Sequence, residues 1–221
     1  MKMYKKLVVV ALLVFGLNQV SAQSGVDPEY VKVTNERAQK IVNDLKLNSK
    51  EDQLAVRDII AEQYRSLSKI QEARDAKIAE IKKNITDKAK QEKATEKLKN
   101  TTDKKILSLH KSYLNKLSKK LTNGQIVQVK DGMTYGVLPI TVSGYNDMLP
   151  NLTDAQKKYI YNALVEAREH AMDAGSSKEK HAWFGKYKGR INNYLSKEGY
   201  DLNKESTDWH KRLEEREKNK K

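Results

Sequence analysis

The chain contains no cysteine, and its 221 residues include only three prolines, two tryptophans and two phenylalanines. Without cysteine no disulfide can form, and thiolate nucleophiles and thiolate metal sites are excluded. The scarcity of proline leaves long segments free of the residue that most strongly interrupts helices. Because aromatic residues make up 7% of the chain and charged residues 33%, we expect helices with a narrow buried stripe rather than a thick globular core.

Long apolar runs are also missing, apart from one near the N-terminus. Residues 7–17 are apolar, follow a basic segment and precede the small residues Ser21 and Ala22. Such a run is too short to span a bilayer, and the whole pattern is that of a signal peptide. Residues 1–22 are therefore predicted to be cleaved near Ala22, so that the mature protein is periplasmic or secreted. No cysteine follows to carry a lipid anchor, and no later run predicts a membrane span.

Acidic residues are in the minority, since 43 Lys and Arg stand against 29 Asp and Glu, a formal net charge of +14. Lys2, Lys5 and Lys6 account for three of these charges, so +11 remains in residues 23–221. A basic exported protein is suited to acidic glycans, lipid headgroups or acidic client proteins. Nucleic acid is not expected, because the compartment is wrong and no known binding motif is present. The alternative is a solvated lysine-rich surface without a specific partner.

A long antiparallel helical hairpin is predicted between residues 50 and 121. Apolar residues recur every three or four positions from 50 to 85 and again from 106 to 121, which is the period of an amphipathic helix. The intervening residues 86–102 are almost entirely polar and predict a charged tip, either a projecting hairpin end or a mobile charged helix. Residues 50–121 hold 19 Lys and Arg against 11 Asp and Glu, so this hairpin carries most of the positive charge.

Shorter helices are predicted on both sides of the hairpin. The pairs Thr122 with Gln125 and Thr153 with Gln156 each have the pattern of a capping box at a helix start. No strand pattern competes with the helical periods. The expected fold is therefore all-α, with one domain over residues 23–221 in which the long hairpin packs with a C-terminal group of shorter helices.

Two segments depart from the helical pattern. Residues 133–151 contain two glycines, two prolines and several β-branched residues, which predicts one long structured loop. A loop of this length is uncommon in a helical domain and favours a functional role. Residues 214–221 are predicted to form a frayed basic tail.

Residues 121–125 and 152–156 read LTNGQ and LTDAQ. They resemble the LTxxQ motif of the Spy/CpxP-like periplasmic proteins. That resemblance implies a small, basic, helical and exported chaperone or stress regulator that works without ATP. The same five residues also make a capping box, which helix starts produce for purely local reasons.

A second resemblance covers nearly the whole mature chain. The segments EYVKVTNERAQKIV, KDGMTYGVLPITVSGYNDMLPNLT and EAREHAMDAGSSKEKHAWFGKYKGRINNYL are similar to a family of secreted Bacteroidetes proteins classed as a domain of unknown function. The resemblance implies an exported protein of bacteria that degrade complex glycans. It brings no established activity and no catalytic residues.

Most chemically capable side chains lie between residues 164 and 195, in a predicted helix–turn–helix. Trp183, Tyr187 and Arg190 are spaced by four and three residues, so they share one helix face. Aromatic rings stack on sugars and arginine binds carboxylates, so this face suits an acidic glycan. The alternative is that the tyrosine belongs to the core. The candidate ligand-binding residues are Glu166, Glu169, His170, His181, Trp183, Tyr187 and Arg190.

A divalent metal is another interpretation of this stretch. Glu166, His170 and Asp173 can share a helix face, and His181 could add a ligand from the next helix. The alternative is a histidine favoured by the helix dipole and paired with Glu166. We favour the alternative and predict neither a metal nor a cofactor.

Catalysis is disfavoured but stays open. Ser177 and Lys180 form an SxxK pair, in which a lysine can activate a serine, although the companion SDN and KTG elements are missing. The carboxylates of this stretch could include a pair for glycoside hydrolysis, but acids on a basic helix are usually surface ion pairs. Gly185 and Gly189 share a helix face, which predicts the close approach of another backbone, namely residues 133–151.

The function expected from the sequence is that of an exported, non-catalytic binding or accessory protein linked to complex-glycan use. Its ligand would be an acidic glycan or a client protein, held between the C-terminal helix pair and residues 133–151. A Spy-like chaperone is the first alternative. The second is a glycan-active hydrolase or lyase that uses Glu166, Glu169 or His170.

Overall fold

A computed structural model of the protein describes residues 27–219, which form eight α-helices and contain no strand. The all-α class is confirmed, whereas the predicted signal peptide lies outside the described residues. Across residues 27–219 the structure has no helix that is both long and apolar enough to cross a membrane. The helices are α1 (Pro28–Asp44), α2 (Lys50–Asn84), α3 (Lys88–Ser118), α4 (Asn123–Met133), α5 (Val137–Met148), α6 (Asp154–Met172), α7 (Ser177–Lys197) and α8 (Leu202–Lys218).

Polar side chains fix the starts of most helices. In α4, Thr122 accepts the N–H of Gln125 while the Gln125 side chain accepts the N–H of Thr122. In α6, Thr153 and Gln156 make the same reciprocal pair. Both predicted capping boxes are therefore confirmed, and helix initiation accounts for both LTxxQ segments.

The long hairpin consists of α2 and α3, joined by residues 85–87. Its tip is closed by Gln91, whose side-chain amide donates to the Ile85 carbonyl oxygen at 3.0 Å. At its base, Nζ of Lys120, just after α3, lies 3.0 Å from the carboxylate of Asp52 near the start of α2. The end of α3 is therefore next to the start of α2, and the two helices are antiparallel. Of the predicted tip at 86–102, only its first two residues belong to the turn, and residues 88–102 form the first half of α3.

The predicted loop at 133–151 is wrong, because α5 occupies most of it. Tyr135 and Gly136 have positive φ angles and make the turn after α4. Pro139 falls in the first turn of α5, where a backbone N–H has no helical partner to lose. Leu138 and Tyr145 are buried in the core shared with α6 and α7. Tertiary burial thus overrides the weak helix propensity of this segment.

The predicted frayed tail at 214–221 is also wrong up to Lys218, where α8 ends. The helix is anchored to Asp147 on α5. The Trp209 indole N–H donates to the Asp147 carboxylate at 2.7 Å, and Arg216 contacts the same carboxylate at 2.9 Å. Residues 220 and 221 lie outside the described part of the chain.

Two helices contain glycines whose surroundings differ. Helix α4 continues through Gly132, where an added Cβ would lie 2.9 Å from Cγ1 of Ile41 on α1. At Gly185 and Gly189 an added Cβ would have no atom within 4 Å apart from the adjoining residues and backbone of α7 itself. The predicted approach of another backbone to Gly185 and Gly189 is therefore wrong.

Two clusters of buried side chains form the core. The first contains residues of α1, α2, α3 and α4, and the second contains residues of α5, α6 and α7. Met172, the last residue of α6, belongs to the first cluster, although the other core residues of its helix belong to the second. The turn between α6 and α7, residues 173–176, therefore lies where the two halves of the protein meet.

Candidate functional site

Buried hydrogen bonds hold the α6–α7 turn in place. The side-chain amide of Gln71 on α2 donates to the Asp173 carbonyl oxygen at 2.8 Å. Lys180 on α7 donates to the carbonyl oxygens of Ala171 and Met172 at 3.0 and 3.2 Å, so it satisfies orphan acceptors at the end of α6. A turn held by such hydrogen bonds at a junction between helices is well placed to shape binding surfaces, and a concavity opens on each side of it.

Five of the seven predicted site residues meet along the outer seam between α6 and α7. The rings of His170 and Trp183 stack with their centroids 4.3 Å apart and their planes 14° apart. The Arg190 guanidinium lies 4.5 Å from the centre of the Tyr187 ring. Burial, and then the neighbouring Glu166 carboxylate, raise the pKa of Tyr187. The seam residues thus form a connected row across the two helices.

The side chains of this row mainly pack α6 against α7 rather than offering an open surface to a ligand. Tyr187 is 2% exposed, and the Trp183 ring has Lys186 Nζ 4.9 Å from its centre as well as the stacked His170. A second stacked pair, Tyr159 with Tyr194, joins the same helices with ring centroids 3.9 Å apart. Because much of the aromatic surface already contacts other side chains, a sugar could stack on it only by displacing those contacts.

The other two predicted residues lie elsewhere. His181 stacks on Tyr135, with centroids 5.7 Å apart. Glu169 turns inward and contacts Lys130 on α4 at 2.6 Å. Because His170 and His181 have different neighbours, the four ligands considered for a metal are not brought together. Among the described residues there is no group of three or more His, Asp or Glu arranged to hold a metal ion.

A partly buried ionic network extends from Glu169 and was missed by sequence reasoning. His110 on α3 lies with Nδ1 2.8 Å from Asp173 and Nε2 3.6 Å from Glu169. Arg168, 4% exposed, contacts Glu169 at 3.3 Å and Asp131 at 2.8 Å. The hydrogen bond to Asp173 raises the pKa of His110, against the effect of burial. The only signal in the sequence was a lone histidine within the apolar stripe of α3.

The concavity on one side of the turn is a cleft of about 440 Å³ between α1, α2, the α4–α5 turn and the α6–α7 turn. We call it the cationic cleft. Among the residues that the structure describes, its lining includes no Asp or Glu. Its charged and aromatic lining consists of Arg37, Lys40, Lys180, Tyr30, Tyr64 and Tyr135. The hydroxyl-bearing residues Ser68, Ser176 and Ser177 complete its polar side.

Two groups in the cationic cleft have environments that change their pKa. Lys180 is 7% exposed, and desolvation lowers its pKa to about 8. Burial, with a smaller contribution from Tyr135, raises the pKa of Tyr64 to about 12, so its hydroxyl stays neutral. A protonated lysine has three N–H donors. Ala171 and Met172 accept two of those of Lys180, which leaves one for a ligand.

The SxxK pair also borders the cationic cleft, since both Ser177 and Lys180 line it. However, the Lys180 amine contacts two carbonyl oxygens rather than the Ser177 hydroxyl. Ser176 caps α7 by accepting the N–H of Glu179 at 3.2 Å. This arrangement suits binding of an anion near the start of α7 better than activation of a serine.

The concavity on the other side of the turn has a volume of about 520 Å³ and a mixed lining. Asp103 and Glu179 supply carboxylates, Arg74 a positive charge, and Leu107 and Trp183 apolar surface. The two concavities therefore differ in charge although a single turn separates them.

Comparison with known proteins identifies the family but no function. The family model described as "Protein of unknown function (DUF3826)" matches residues 31–214, which is most of the chain. A search of curated proteins found no match to the chain.

Proposed function

We propose a function for this protein, which belongs to the DUF3826 family of proteins of unknown function, from the geometry of its cationic cleft. The protein is an exported, non-catalytic binding protein that holds an acidic saccharide in the cationic cleft. One observation carries the proposal: about 440 Å³ of space is lined by three cations and three tyrosines, with no carboxylate among the described lining residues.

The charges support an anionic group on the ligand. Lys180 is largely desolvated, and a carboxylate or sulfate next to it would compensate the cost of burying its charge. Arg37 and Lys40 are exposed on α1 and can reach a ligand from the rim. A neutral ligand would leave the repulsion between these three cations unchanged.

The remaining lining supports a saccharide. Tyrosines present an apolar ring face and a hydroxyl, a combination that matches the apolar faces and hydroxyl groups of a sugar. The serine hydroxyls add adaptable hydrogen-bond partners. The volume lies within the range of small-molecule sites, roughly 300–1,000 Å³, so one or two sugar rings would fit.

Within residues 27–219 no carboxylate lines the cleft, which supports binding without hydrolysis, since glycoside hydrolysis generally uses two carboxyl groups. Glu169, one of the acids considered for catalysis, is instead neutralised by Lys130 and Arg168. An accessory role in the use of complex glycans rests on the signal-peptide pattern at residues 1–22 and on this cleft.

Binding calorimetry with trigalacturonate tests the proposal. Replacing Arg37 and Lys40 together by Gln should weaken binding about tenfold or more, because a charged hydrogen bond contributes about 1.5–3 kcal/mol. Both residues are exposed, so folding should be preserved. The matched control replaces Lys32 and Arg190 by Gln, which removes the same two charges outside the cleft and should change the affinity less than twofold. The neutral galactose trisaccharide should not bind measurably.

The pH dependence of ligand affinity should follow the protonation of Lys180. Its proton is present below its pKa of about 8 and is lost above it, so affinity should be constant from pH 6 to 7 and fall above pH 8. The ligand carboxylates stay ionised throughout this range. Equal binding of the neutral trisaccharide would reject the proposal. Loss of binding in the control variant alone would move the site to the α6–α7 seam.

A further inference from the structure

The distal half of the α2–α3 hairpin, residues 82–105, carries an unusual charge. This segment, which we call the distal arm, contains nine lysines and four acidic residues. All nine lysines are exposed. Within residues 27–219, no acidic group lies within 4.0 Å of any of these nine ammonium groups.

The distal arm is also little involved in packing. Thr102 is its only buried residue among those described. Its side-chain hydrogen bonds, such as that of Gln91 at the tip, stay within the hairpin. The lysines are therefore available to a partner, and their replacement should leave the core intact.

The lysines are arranged in a row. Lys90, Lys97 and Lys104 are seven residues apart on α3, so they share one face at steps of about 10 Å. Lys97 and Lys104 have no acidic residue three or four positions away, and the one at that distance from Lys90 is Asp87, whose carboxylate accepts the Lys90 backbone N–H as the N-cap of α3. Ordinary exposed helices balance such charges with acids one turn away. Helix α8 does so, since it has five basic and five acidic residues. A row of like charges without partners is complementary to an extended polyanion rather than to a compact ion.

We propose that the distal arm docks an extended acidic polysaccharide, a longer form of the ligand assigned to the cationic cleft. The identity of this polymer rests on the proposed function of the cleft. Helix α2 connects the two places: Ser68 lines the cleft and Lys82 begins the arm, fourteen residues or about 21 Å further along. Many weak contacts along the arm would raise the local concentration of the chain near the cleft and speed its capture.

Binding of polygalacturonate to the mature protein tests this docking. The arm variant replaces Lys90, Lys97 and Lys104 by Gln. The matched control replaces Lys204, Lys211 and Lys218 of α8, which have the same spacing, by Gln. At low salt the arm variant should bind the polymer about tenfold or more weakly, while the control stays within twofold of the unmodified protein. Trigalacturonate affinity should be unchanged in both. Circular dichroism checks that each variant is folded.

Salt provides a second measurement. Polymer affinity should fall as salt rises, and the fall should be less steep in the arm variant, because fewer counterions are released from the bound chain. Equal losses in the two variants would show an effect of net charge alone and would overturn the docking. Tighter binding to phosphatidylglycerol vesicles than to polygalacturonate would also overturn it.

The two proposals fail separately. Polymer binding that depends on the arm, in a protein that does not bind trigalacturonate, would reject the cleft and keep the docking surface. Binding of trigalacturonate that depends on Arg37 and Lys40, with polymer affinity unaffected by the arm, would keep the cleft and reject the docking surface.

Discussion

His110 shows how much one side chain can contribute to joining distant helices. Its ring lies between Glu169 of α6 and Asp173 of the α6–α7 turn, while Lys130 of α4 contacts the same Glu169. The side chain of His110 is 13% exposed, so its charge interactions are only weakly screened by solvent. The positive form of His110 is favoured by two carboxylates and opposed by Lys130 and by burial.

The stability contributed by His110 should depend on pH. Its pKa is raised in the folded protein, so this contribution is complete below the unfolded value of about 6.5 and is lost as pH rises through the folded pKa. His110→Gln should lower the free energy of unfolding by about 2 kcal/mol at pH 5 and by less at pH 9.

Urea denaturation at both pH values measures this difference. His210→Gln is the control, since His210 is exposed on α8 and contacts the Ser206 carbonyl oxygen. An equal loss of stability at pH 5 and pH 9 in the His110 variant would mean that shape, not charge, accounts for its role.

At the scale of single residues, spacing predicted some neighbours and not others. Trp183, Tyr187 and Arg190 share a face because of their helical spacing, and His170 meets them because α6 and α7 are antiparallel. The contact of His110 with Asp173 joins residues 63 positions apart. No local pattern contains such a contact.

At the scale of helices, the glycines of α4 and α7 should respond in opposite ways to alanine. Gly185→Ala should raise the free energy of unfolding by about 1 kcal/mol, because the new methyl group meets open space and alanine favours helix. Gly132→Ala should lower it by about 1–3 kcal/mol, because the methyl group would overlap Ile41.

Thermal or urea unfolding of the two variants tests this pair of expectations. The loss of stability in the double variant Gly132→Ala with Ile41→Ala should be smaller than the sum of the losses in the two single variants, because the overlap is absent from the double variant. A less stable Gly185→Ala variant would indicate that the outer face of α7 packs against something in solution.

Helix α5 illustrates why helix propensity is a weak guide. Its sequence holds Pro139, Gly144 and several β-branched residues, yet it forms three turns. Leu138 and Tyr145 are buried, and the Tyr145 hydroxyl donates to the Asn192 side chain at 2.6 Å. These contacts with the neighbouring helices supply what the local sequence does not.

At the scale of the whole molecule, packing is concentrated away from the distal arm. Buried residues of α2 end at Gln71, and those of α3 begin at Thr102. Neither core cluster contains a residue between Gln71 and Thr102. Local opening of the distal arm should therefore cost less free energy than opening of the hairpin base.

Native-state hydrogen exchange should show this difference. Amides of residues 76–100 are expected to exchange about tenfold or more faster than those of residues 54–67 and 108–118. Addition of polygalacturonate should slow exchange in residues 82–105 if the chain docks there. Uniform protection along the hairpin would contradict the expected gradient.

The helical class, the long hairpin, its charge and the start of most helices follow from the amino-acid sequence. These features depend on periodicity and on side chains within four residues of one another, so they are local. Only the packing of the helices makes residues 137–148 helical, separates Glu169 and His181 from the other predicted site residues, and brings Lys180 to a cleft whose described lining includes no carboxylate. Each of these depends on residues far apart in the chain, which only the packing of the helices brings together.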